Sequence, residues 1–114
     1  MTIIKRTANV PYTALQMFAL VNAIEEYPHF LPWCHGVEIL SQTPDEVRAT
    51  LHLSRGGIQK SFTTANRLQY GKMVEVTLVD GPFKHLHGFW HFEALEGKGS
   101  SITLDLEFEF SNMI

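Results

Sequence analysis

Residues 102–110 read Ile102-Thr103-Leu104-Asp105-Leu106-Glu107-Phe108-Glu109-Phe110, an unbroken alternation of large apolar and polar side chains. Successive side chains of a β-strand point to opposite faces, so Ile102, Leu104, Leu106, Phe108 and Phe110 share one face and the polar residues the other. Leaving five such apolar side chains in water would forgo about 1.5 to 3 kcal/mol each. The face must therefore be covered, and the domain has an inside built on a sheet.

Working upstream, turn signals divide the chain at intervals of roughly ten residues. Glu96-Gly97-Lys98-Gly99 precedes the last strand, residues 86–95 form the strand before it, and Asp80-Gly81-Pro82 breaks the line. Val74, Val76 and Leu78 alternate beyond that break, then Tyr70-Gly71-Lys72 turns, and 58–68 runs back to Gly56-Gly57. The glycine pair suits a hairpin in which φ exceeds zero. Val47, Ala49, Leu51 and Leu53 alternate with Arg48, Thr50, His52 and Ser54, and Val37 and Ile39 open a strand from Gly36 that ends near Thr43-Pro44-Asp45. This is an antiparallel meander. Residues 3–10 read as a first strand and 12–22 as a helix, with Pro11 in its first turn. Pro28 and Pro32 each push the preceding residue toward extended geometry, so residues 27–33 read as a constrained apolar loop. The fold class is α+β, with six to seven strands and one helical segment after the first strand. That helix is too short to cover the whole apolar face.

The chain has 114 residues, 45% hydrophobic and 18% charged, as expected of one globular domain that folds without metal or disulfide. Cys34 is its single cysteine, which excludes an internal disulfide and implies a reducing compartment. No apolar run approaches the roughly 20 residues of a spanning helix, and the first residues carry no secretory pattern. A soluble, cytoplasmic protein is expected. The net charge of −3 argues against DNA. Between Glu46 and Glu75, however, Arg48, Arg55, Lys60, Arg67 and Lys72 occur without an acidic residue, a candidate surface for RNA or anionic lipid heads.

Six segments carry a resemblance. They are Val10-Pro11-Tyr12, Tyr27-Pro28-His29-Phe30-Leu31-Pro32-Trp33-Cys34, Ser61-Phe62-Thr63-Thr64, Leu78-Val79-Asp80-Gly81-Pro82-Phe83, Gly88-Phe89-Trp90-His91-Phe92 and 104–110. In this order they resemble the START-like, helix-grip superfamily, and within it the coenzyme Q-binding, polyketide-cyclase-like family, which includes a ribosome-association toxin. The resemblance implies a curved sheet gripping a long C-terminal helix that closes a hydrophobic tunnel. That helix would begin after Phe110-Ser111-Asn112, so residues 1–114 are expected to be one domain truncated before it, with 102–110 lining an open groove.

A groove of this kind is lined mainly by apolar and aromatic side chains. The candidate lining is Val47, Leu51, Leu53, Phe62, Leu78, Phe83, Trp90, Phe92, Leu104 and Phe108, with Tyr27, Phe30, Leu31 and Trp33 at the mouth. By resemblance the guest is ubiquinone or a related polyprenyl lipid, bound without catalysis and without a further cofactor, in support of respiratory electron transport. Peripheral contact with the inner membrane accompanies that reading. The alternative partner is the large ribosomal subunit, contacted by Arg48, Arg55, Lys60, Arg67 and Lys72 to block subunit association. An aromatase or cyclase is a remote third reading.

Chemistry of other kinds finds little support. His85-x-His87-x-x-x-His91 would place three imidazoles on one strand face, but Asp80-Gly81-Pro82 suggests a turn there and no carboxylate completes a site, so surface histidines are expected rather than a metal. Adjacent Cys34 and His35 point to opposite sides of an extended chain and cannot readily share a proton. No catalytic residues are assigned.

Overall fold

The computed structural model describes residues 1–111. Seven strands, β1 (Thr2–Val10), β2 (Cys34–Gln42), β3 (Glu46–Arg55), β4 (Ile58–Gln69), β5 (Met73–Asp80), β6 (Phe83–Ala94) and β7 (Ser100–Phe110), form one curved antiparallel sheet in the order β1-β7-β6-β5-β4-β3-β2. Strands β2 to β7 are a meander of neighbours in sequence. Strand β1 joins the far end, pairing with β7 from Thr2 opposite Phe108 to Val10 opposite Ser100. The glycine hairpin forms as expected, with φ of 59° at Gly56 and 82° at Gly57.

Helix α1 spans Ala14–Asn22, two residues shorter at its start than the sequence suggests. Thr13 caps it: its hydroxyl accepts from the Gln16 amide, and the Gln16 side chain accepts from the Thr13 amide. This capping box satisfies two otherwise unpaired donors, so Pro11 lies ahead of the cap and not in the first turn. A 3-10 turn over Ile24–Glu26 leads into a single α-turn, α2 (Tyr27–Phe30). The expected loop at 27–33 is thus partly helical. Tyr27, at φ −54° and ψ −40°, is helical despite preceding Pro28, because Pro28 occupies an initial helical position where no N–H is needed. Leu31, before Pro32, is extended at φ −102° and ψ 106° as expected.

The helices sit on the inner face of the sheet over two apolar clusters. Phe18, Val74, Phe92 and Ile102 form the first beneath α1, and Ile24, Val47, Ala49 and Leu51 the second beneath the 3-10 turn. Leu68 packs against both. At the corner between β1 and β7 the buried Ser100 hydroxyl donates to the Tyr12 carbonyl at 2.8 Å, fixing the chain where it leaves the sheet for α1. The start of the C-terminal helix implied by the resemblance falls outside the described residues.

Candidate ligand-binding groove

Between the helical segment and the inner face lies a groove of about 510 Å³. Met17, Leu20 and Val21 of α1 form one wall, and Tyr27, Phe30, Leu31 and Trp33 another. The floor is the sheet: Leu51 of β3, Phe62, Thr64 and Asn66 of β4, Val74 and Val76 of β5, Leu86, Gly88 and Trp90 of β6, and Ile102, Leu104 and Leu106 of β7. Phe30 and Trp33 are half exposed, at 52% and 41%, and Leu20 beside them at 51%. Gly88 lets β6 and β7 approach there, since a Cβ at that position would meet the Asp105 carbonyl oxygen at 2.4 Å.

Of the residues expected to line the groove, Tyr27, Phe30, Leu31, Trp33, Leu51, Phe62, Trp90 and Leu104 do so. Val47 and Phe92 are instead solid core, and Leu53 packs against the second cluster. Phe83 and Phe108 join Phe110 in an aromatic group at the sheet's end, where Phe83 stacks on Phe110 at 4.9 Å between ring centres. Leu78 stands opposite Thr64 and outside the groove. Alternation placed these side chains on the correct face but could not tell which of them a helix or a ring would cover. Open lining at 102–110 is accordingly confined to Ile102, Leu104 and Leu106.

Thr64 and Asn66 were missed because polar residues are not expected on an inner face. Their parity with Phe62 and Leu68 in the same strand was the available signal. Thr64 is 4% exposed and Asn66 9%. The Thr64 hydroxyl donates to Asn66 Oδ1 at 3.0 Å. The single ionisable group in the lining is the Tyr27 phenol, which donates to the Val21 carbonyl oxygen. Burial, with smaller contributions from Cys34 and Glu25, pushes it up to about 12. At neutral pH the lining therefore offers no group that exchanges protons.

The outer face carries the charges. By register one row across it runs Lys5, Asp105, Phe89, Glu75, Arg67 and Glu46, with signs interleaved. Arg48 lies on the same face and pairs with Glu46 at 3.0 Å. Arg55 and Lys60 stand instead at the β3–β4 hairpin, and Lys72 lies in the turn at the opposite end of β4. The five basic residues do not form one surface.

His85 also corrects the sequence reading. It lies within β6, not in a turn, and carboxylates do face both it and His87: His87 Nε2 is 2.9 Å from Glu75 and His85 Nε2 3.0 Å from Glu107. These are separate pairs on adjacent strands, and among the described residues no three metal-binding side chains gather. On β2, β3 and β4, Glu38, His52 and Ser61 are joined in sequence by bonds of 3.0 and 2.7 Å, the order found in acyl-transfer triads. Their side chains face away from the groove, none of the three lines it, and Glu38 is 65% exposed, so the groove does not open onto the serine. No described helix is long and apolar enough to cross a membrane.

Comparison with known proteins supplies the family. A ribosome association toxin RatA of Escherichia coli is 47% identical over 111 residues, covering 97% of this chain and 70% of that protein. A mitochondrial coenzyme Q-binding protein of Dictyostelium discoideum is 29% identical over 101 residues, covering 86% of this chain and 48% of that one. A START superfamily protein from Mycobacterium smegmatis superimposes with a TM-score of 0.83 at 20% identity, over 98% of this chain and 79% of the other, a likeness of fold. The family described as polyketide cyclase / dehydrase and lipid transport matches residues 10–114, and the chain belongs to that family, with its START-like fold.

Proposed function

We propose that the protein binds a lipid-like molecule of the polyprenyl-quinone class in its groove without transforming it, and that its cellular role is ribosome association of the RatA type. The groove carries the molecular part of this reading. Its lining is apolar and aromatic with few polar groups, the composition of sites that hold small hydrophobic molecules. Burying an isoprenoid tail contributes about 0.8 kcal/mol per methylene. The family's description spans cyclases, dehydrases and lipid transport, and the lining favours transport: its one ionisable group keeps its proton far above neutral pH. Cyclisation by general acid and base requires groups that titrate near the working pH. The experiment is mass spectrometry of lipid extracted from protein purified from its host. Recovery of a polyprenyl quinone supports the reading, and its consistent absence overturns it.

Identity of 47% over nearly the whole chain favours the cellular role. We place the ribosomal contact at Arg55 and Lys60, because these stand apart from the mixed charges of the outer face. Contacts to RNA phosphates weaken steeply with salt. The protein is expected to co-sediment with large ribosomal subunits at low salt, and a double charge reversal at Arg55 and Lys60 to abolish it. Unchanged sedimentation of that variant removes the hairpin from the contact, and failure of the native protein to sediment removes the role.

A further inference from the structure

Asn66 and Thr64 are out of place in an otherwise apolar floor. They follow Phe62 on β4 at alternate positions, so all three face inward, with Asn66 between Val47 on β3 and Val76 on β5. Valine or leucine would match the apolar floor at either position, because a polar side chain drawn largely out of water costs free energy unless it finds hydrogen-bond partners. The Thr64 hydroxyl donates to Asn66 Oδ1 at 3.0 Å, and in this arrangement the amide oxygen is held toward Thr64 and the nitrogen end is left for the cavity. The opposite end, Nδ2, has no hydrogen-bond partner among the described residues and is not sealed from the groove space, although 91% of the surface of Asn66, which lines the groove, is buried. Two N–H donors are thus held ready at the floor, with the hydroxyl as their lock.

We infer that Asn66 is the recognition residue for an acceptor oxygen on the bound molecule, a carbonyl or ether oxygen of a neutral amphiphile. This deepens the ligand reading proposed above and rests on it. An anion fits less well, since no cationic side chain lines the groove and a buried unpaired charge is costly. The position also sets the direction of binding. Phe62 belongs to the part of β4 nearer the hairpin, and Asn66 lies four residues farther along, about 13 Å at the usual rise. A polar head on Asn66 enters first and the tail trails toward Phe30 and Trp33, the reverse of a head held at the mouth by an aromatic ring.

The test uses two probes that displace anilinonaphthalene sulfonate from the protein: a ubiquinone with one isoprene unit, and an isoprenoid hydrocarbon without oxygen. Asn66→Leu is expected to weaken the quinone about tenfold and leave the hydrocarbon unchanged. Thr64→Val, which removes the lock and keeps the amide, is expected to weaken the quinone about threefold, and it decides the matter if Asn66→Leu does not fold. Equal quinone affinity in native protein and variant, or equal losses for both probes, overturns the assignment while leaving the groove as a lipid site. If neither probe binds the native protein, the ligand reading itself fails and this inference with it.

Discussion

The Tyr27 hydroxyl donates to the main-chain carbonyl of Val21, so the side chain that begins α2 is anchored to the last turn of α1. That carbonyl lies where a helix leaves acceptors without internal partners, and the bond supplies one. Tyr27→Phe should lower stability by about 1 to 2 kcal/mol, read as a shift in the urea midpoint.

The same phenol makes stability depend on alkali. Its folded pKa, up to about 12, exceeds the ordinary value of 10.0. Because the folded state holds the proton more tightly, the stabilisation is complete below pH 10 and is lost as pH rises toward 12. Urea midpoints measured across this window should fall in the native protein and fall less in Tyr27→Phe. Parallel curves would contradict the assignment.

Gly88→Ala should cost about 1 to 3 kcal/mol, because the added methyl meets the Asp105 carbonyl oxygen and, at 2.9 Å, the Leu106 Cα, and neither is free to move. Gly97→Ala is the control. Its φ is 89° but nothing lies within 4 Å of the new carbon, so only the backbone strain remains, about 1 kcal/mol. Denaturant unfolding of the two variants separates crowding from strain.

Trp33→Ala should leave stability within about 1 kcal/mol of native while reducing retention of bound lipid several-fold. The side chain is 41% exposed at the groove, and the backbone bond from the Ser54 amide to the Trp33 carbonyl does not depend on it. Quantifying co-purified lipid against urea midpoint makes the comparison.

Cys34 is 2% exposed, and its thiol reaches the Gly36 carbonyl oxygen at 3.6 Å. Reaction with a thiol reagent should therefore be slow in native protein and fast on unfolding, since an enclosed thiol reacts only when the structure opens. Prompt labelling of folded protein would show that β2 frays at its first residue.

The strands were readable because burial on one face writes itself as period two, and each of β2 to β7 forms where that period or a glycine turn put it, although β2 begins two residues and β6 three residues before the expected start. The helix start was not, because the Thr13 and Gln16 box is a side-chain device that apolar spacing does not report. Tyr27 misled for a related reason: a proline discourages helix in the residue before it, yet here it serves as an initial residue of a turn. In the groove, face was legible and cover was not. Val47 and Leu51 have the same pattern and strand, but Val47 is sealed in the second cluster while Leu51 also reaches the cavity. Asn66 escaped because its meaning lies in what its amide does not bond.

Strand β1 finds its partner in β7, so the first residues of the polypeptide are secured by nearly the last of those described. Each hairpin from β2 onward can form as soon as its own two strands exist, whereas the amino-terminal strand must wait for roughly ninety further residues before a neighbour is available. During synthesis that waiting strand, with α1 tethered behind it, stays unpaired until β7 clears the exit tunnel. Closure of the sheet is therefore a late event, and a chain interrupted before Ser100 is left with its opening strand unplaced.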